Sequence, residues 1–88
     1  MEQPYYTTAS IMELVEGHAP ELLAERGFSC LPHIGELVAI INPNTSEHDY
    51  YRVEDVAHLE ERTYVRTLNK RTTPTLFVRQ VEKPNYGG

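Results

Sequence analysis

Histidine and cysteine are the side chains here whose chemistry could reach beyond packing: His18, His33, His48, His58 and the single Cys30. A zinc centre needs three or four ligands, usually anchored by a close pair. The histidines stand ten or fifteen residues apart, and only Cys30-x-x-His33, joined by His48 or Asp49, imitates ligand spacing. A catalytic cysteine wants a helix N-terminus or an adjacent cation to lower its pKa. Cys30 instead follows a glycine stop and precedes Leu31-Pro32, so it reads as a small buried apolar residue. Neither a metal nor a cofactor is expected. His58 is the one candidate for acid/base or pH-sensitive work, because it precedes Glu60 and Glu61 and a nearby carboxylate raises an imidazole pKa. The paired acids Glu54-Asp55 and Glu60-Glu61 make no dyad, since neighbours on a strand point to opposite faces. No glycine-rich phosphate loop is present, and Gly87-Gly88 lacks a strand-to-helix setting.

Recognition is better supplied than catalysis. Tyr5, Tyr6, Tyr50, Tyr51, Tyr64 and Phe77 lie in extended-type segments with Arg52, Arg66 and Arg79 nearby. Small barrels bind peptides or single strands with surface aromatics aided by arginine. Tyr51, Tyr64, Arg66 and Arg79 are the expected contact face, and Lys70 and Arg71 add charge from a loop. Tyrosines that line core edges with their hydroxyls in water are the plainer alternative.

Those residues must be positioned by strands. Tyr6, Thr8, Ser10, Met12 and Leu14 alternate, which predicts a strand over residues 5–15, although Ile11, Leu14, Val15 and His18 also fall at helical spacing. Ala19-Pro20-Glu21-Leu22-Leu23-Ala24-Glu25-Arg26-Gly27 carries an initial proline, an acid beside it and a terminal glycine, predicting one short helix at about residues 20–26. Leu37–Ile41 is the most continuous apolar run and reads as a central strand. Asn42-Pro43-Asn44-Thr45-Ser46 ends it, in a loop extending through Asp49. In Tyr50–Leu59, Val53 and Val56 are three apart and cannot share the face of a regular strand, so a β-bulge at Glu54-Asp55 is predicted. A turn at Glu60-Glu61-Arg62, a strand over Thr63–Leu68, a basic loop over 69–74 and a last strand over Thr75–Val81 follow. Residues 83–88 read as a flexible tail. The expected fold is a small, strongly bent five-stranded antiparallel sheet, closed or nearly so.

Length and charge bound the possibilities. Eighty-eight residues make a single domain, able to bury roughly 60–65% of its unfolded surface. The net charge of −5 is uneven: residues 1–61 hold twelve of the thirteen acids against Arg26 and Arg52, whereas residues 62–88 hold six basic residues against Glu82. The balance argues against a general nucleic-acid or membrane-surface binder, and acidic and basic strands are expected to pair across the sheet. No apolar run reaches the ~20 residues of a membrane span. The opening Met-Glu-Gln-Pro is unlike a signal peptide. One cysteine gives no internal disulfide, so a cytoplasmic setting is expected.

Leu31-Pro32-His33-Ile34-Gly35-Glu36-Leu37-Val38, Tyr51-Arg52-Val53-Glu54-Asp55-Val56-Ala57-His58 and Tyr64-Val65-Arg66-Thr67-Leu68 resemble a pattern of small uncharacterised bacterial proteins. These are of Src-homology-3-like barrel type, several of them carried on mobile DNA such as integron gene cassettes. The resemblance spans about residues 28–81 and implies a fold and a genetic setting, with no catalytic residue. The expected function is a non-catalytic binding module whose partner is a protein, a peptide or a second copy, the dimer forming through edge strands at Thr75–Val81 or Tyr5–Leu14. The alternatives are a single-stranded nucleic-acid or regulatory factor using the basic segment 62–79, and a small enzyme with His58 as acid/base.

Overall fold

A computed structural model describes residues 6–60 and 72–85. Five strands form one sheet: β1 (Thr7–Glu13), β2 (Glu21–Phe28), β3 (Leu37–Ile41), β4 (His48–Glu60) and β5 (Thr72–Val81). Their spatial order is β2-β1-β5-β4-β3. Three of the four pairings are antiparallel, but β1 runs parallel to β5, with Ile11 beside Leu76 and Glu13 beside Val78. The sheet is therefore mixed, not antiparallel throughout, and it curls strongly into a half-barrel. The predicted strand at Thr63–Leu68 and the turn before it lie outside the described residues.

The β4 bulge appears where the valine spacing demanded it. Val53 pairs with Val78 and Asp55 with Phe77, leaving Glu54 as the extra residue. Val53 is buried and Val56 packs partly buried against the same core, so one inserted residue returns both valines to the concave side and bends the strand. A second bulge sits between β1 and β2, where Ile11 pairs with Ala24 but Met12 pairs with Leu22. Leu23 is the unpaired residue, and it packs against the core.

No helix occurs among the described residues. The segment expected to be helical at 20–26 is instead β2. Two helical turns barely outweigh their own nucleation cost. Pairing with β1 along the whole segment supplies hydrogen bonds and places Ala24 and Phe28 on the buried side opposite Ile11 and Thr7, so tertiary pairing overrides local propensity. A second correction concerns Leu37–Ile41. The strand has the expected bounds but lies at the edge of the sheet. Its burial alternates, with Val38 and Ile40 inside and Ala39 and Ile41 outside, the pattern of a strand with one wet face. Conversely, the segments expected to be free edges, Tyr5–Leu14 and Thr75–Val81, fall on β1 and β5, both interior, and β5 begins at Thr72, within the stretch expected to be a loop.

The core is small: Ala9, Ile11, Val38, Ile40, Tyr51, Val53, Leu76 and Val78, with Leu23, Phe28, Leu31 and Val56 packed partly buried around it. Two loops pin its lower rim. Asn42 closes the β3–β4 hairpin: its N–H donates to the Glu47 carbonyl (2.8 Å) and its carbonyl accepts from Ser46 N–H (2.8 Å). The loop therefore ends at Glu47, and His48 and Asp49 belong to β4. At Gly35 the chain takes a positive φ of 94°, a conformation that favours glycine. Gly35 N–H donates to the Val53 carbonyl (2.8 Å), Val53 N–H donates to the Glu36 carbonyl (2.9 Å), and Arg52 Nη1 donates to the Gly35 carbonyl (2.7 Å). The approach to β3 is thereby fastened to β4.

Candidate functional site

The order β2-β1-β5-β4-β3 leaves β2 and β3 each with one side unpaired. Because the sheet curls, the two free edges turn toward one another without joining. No Cα atom of β2 comes within 8 Å of one in β3, yet both strands wall the same two clefts. One, of about 340 Å³, is lined by Leu23, Ala24 and Arg26 from β2, Ile40 and Ile41 from β3, and Asp49 and Tyr51 from β4. The other, of about 310 Å³, runs along Arg26, Gly27 and Phe28 and along Val38 to Ile41. Together they trace an open seam down the half-barrel. Ile41, 54% exposed, lines both clefts with an uncovered aliphatic side chain.

Two acidic side chains, Glu13 and Asp49, act electrostatically on Tyr51, which lines this seam. Glu13 lies directly opposite Glu21 across β1–β2, a like-charge pairing that is unfavourable in itself. Asp49 lies two residues before Tyr51 on β4, and residues two apart share a face. Asn42 Nδ2 donates to Asp49 Oδ2 (3.1 Å), so the hairpin loop holds that carboxylate in place. Tyr51 is only 5% exposed. Its hydroxyl is held above the ordinary tyrosine pKa of 10.0, first by burial, then by the negative charges of Glu13 and Asp49. That hydroxyl makes no hydrogen bond among the described residues, where no sealed-off side-chain polar atom lacks a partner. It therefore opens on the cleft that Tyr51 lines. Across the gap, Arg26 Nη1 donates to the Glu25 carbonyl (2.8 Å), which ties its charge to the β2 rim.

The residues singled out in the sequence are dispersed. Tyr51 is a core residue on the concave face rather than an exposed contact. Arg79 is exposed on the convex face, directly opposite Arg52, and its Nε donates to Glu54 Oε1 at 2.9 Å. Tyr51 and Arg79 thus stand on opposite faces and form no common Tyr/Arg surface. Tyr64, Arg66, Lys70 and Arg71 lie outside the described residues. His58 is exposed on β4 opposite Pro74 and lines neither cleft of the seam. Cys30 is exposed, not buried: it sits in the bend after β2, where only Leu31 reaches the core. His33 pairs with Glu36, through its N–H to Oε1 (2.6 Å) and its ring Nδ1 at 3.8 Å. Among the described residues no three His, Cys, Asp or Glu side chains gather as a metal centre, and no helix is long and apolar enough to cross a membrane.

The seam itself was not visible from the sequence. One cue was available: Asp49 and Tyr51 alternate on a strand and so share a face. Reading β2 as a helix removed the opposite wall. No family model, curated protein or solved structure matches the chain.

Proposed function

We propose that this protein is a non-catalytic binding module, a small barrel of the type the Leu31–Val38 and Tyr51–His58 segments resemble. Its open seam receives an extended segment of a partner protein. The observation that carries this reading is the pair of unpaired edges, β2 and β3, sharing the walls of two adjoining clefts. Paired strands lie about 4.8 Å apart, so a strand inserted between two others sets them about 9.6 Å apart. A separation beyond 8 Å between two edges that still line common clefts leaves room for a strand between them. Backbone hydrogen bonds to both edges would supply affinity, and alternate side chains of the guest would meet Ala24, Phe28, Val38 and Ile40. Exposed edges normally invite uncontrolled pairing. Here Glu21, Glu25 and Arg26 on β2 limit that tendency while leaving the apolar floor accessible.

The test is an isotope-labelled sample titrated with a blocked nonapeptide of alternating Thr and Val. Binding is expected to shift and protect from exchange the amides of residues 21–28 and 37–41, with little change in β5. The same peptide N-methylated at alternate residues, so that one row of its donors is lost, should bind at least about tenfold more weakly. Equal binding by the methylated peptide, or shifts confined to β5, would refute strand insertion.

A further inference from the structure

The seam is not chemically uniform, and its acidic end has a use that shape alone does not give it. We infer that the cleft at Tyr51 and Asp49 is a specificity pocket for a lysine or arginine side chain carried by the strand that occupies the seam. This deepens the proposed function and rests on it.

The pocket's walls suit such a side chain along its length. Leu23, Ala24 and Ile40 offer apolar surface for an aliphatic stem, which long basic side chains readily lay against such residues. At the far end stands Asp49, oriented by Asn42 and without a cationic partner among the described residues. Glu13 adds a second negative charge, and its direct neighbour across β1–β2 is Glu21 rather than a base. Tyr51, almost fully buried, presents to the same space a hydroxyl without a hydrogen-bond partner among the described residues. The hydroxyl can accept from an ammonium or guanidinium. The negative field around it, which also lifts its own pKa, favours a cation at that point. Among the residues lining this cleft Arg26 is the opposing charge, and its guanidinium donates to the Glu25 carbonyl; Lys83 shares a separate cleft with Asp49. A carboxylate already in place and partly desolvated binds a cation more strongly than one in open water. The charge distribution agrees: β1 to β4 all lie within residues 1–61, the strongly acidic part of the chain.

The experiment compares three blocked nonapeptides of alternating Thr and Val whose central residue is lysine, norleucine or glutamate, by calorimetry at low salt. The lysine peptide is expected to bind about tenfold tighter than the norleucine peptide, with the glutamate peptide weaker still. Raising the salt should erode only the lysine advantage. Asp49→Asn, which keeps an oxygen for Asn42 to donate to, should abolish the preference for lysine over norleucine. Tyr51→Phe should reduce that preference by a smaller factor. Equal affinity for all three peptides overturns the pocket while leaving strand insertion intact. No binding by any peptide overturns both. Persistence of the lysine preference in Asp49→Asn refutes the assignment of that carboxylate. Displacement of the lysine peptide by millimolar butylammonium at a concentration that spares the norleucine peptide supports it.

Discussion

The three middle strands and the two edge strands are built to different standards. Ile11, Leu76, Val53 and Val78, all on β1, β5 and β4, are the largest fully buried side chains, at 0–1% exposure. On the edges, β3 contributes Val38 and Ile40 at 7–8%, and β2 has no residue that is fully buried. The middle therefore carries most of the apolar burial that stabilises the fold, and the edges carry the unsatisfied backbone and the exposed aliphatics. Fold stability and binding capacity are separated by position in the sheet order, so substitutions should affect one without the other.

The largest effect tests that separation directly. Leu76→Ala is expected to cost about 3 kcal/mol, since a fully buried leucine loses transfer energy and leaves a cavity. In a domain of 88 residues that is a large part of typical stability. Leu22→Ser, on the open edge strand β2, is expected to change stability by less than about 0.5 kcal/mol. Urea denaturation of both variants decides the matter. A similar midpoint shift for the two would show that β2 is as much a part of the core as β5.

A smaller effect appears at high pH and reports on the concave face alone. Tyr51 is held above its ordinary pKa of 10.0 in the folded protein. The native state therefore keeps its proton when the unfolded chain begins to lose it, and the uptake difference favours the native state less as pH rises. The stabilising contribution is intact below pH 10 and is lost progressively as pH climbs from 10 through the raised folded value. Chemical denaturation across this window should show the decline in the native protein and a flatter profile in Tyr51→Phe. Identical profiles would show that the hydroxyl is not in the environment described.

How much of this was legible from sequence depended on whether local pattern or distant pairing decided the outcome. The bulge at Glu54 was readable because Val53 and Val56 violate a two-residue period over four positions. The strand at Leu37–Ile41 was readable as a strand, but its place at the edge was not, because a short apolar run looks alike on a central strand and on a half-covered one. Segment 20–26 misled for a physical reason. Pro20, Glu21 and Gly27 are sound helix punctuation, and only pairing with β1 explains why they bracket a strand. The parallel contact of β1 with β5 joins residues more than sixty positions apart, and nothing in either segment announces it. The seam inherits both difficulties, since its walls are the misread strand and the misplaced one.

The smallest expected effect sits on the convex face, where β4 and β5 meet at the bulge. Arg52 and Arg79 are directly opposite one another, a like-charge pair that would repel if both side chains stood free. Each is drawn aside: Arg52 to the Gly35 carbonyl, Arg79 to the Glu54 carboxylate. Glu54 lies two residues beyond Arg52 on β4 and so stands within reach of Arg79. The ion pair is nearly half exposed on both sides, and such pairs contribute less than about 1 kcal/mol. Removing either partner is nevertheless not equivalent. Arg79→Gln deletes the ion pair and the repulsion together and is expected to be nearly neutral. Glu54→Gln deletes the attraction and leaves two arginines facing each other, so it is expected to cost about 0.5 kcal/mol, and less at high salt. Thermal unfolding of both variants at low and high salt resolves the asymmetry. Equal costs would mean that the bulge places Glu54 for the bend alone, with no part in separating the two arginines.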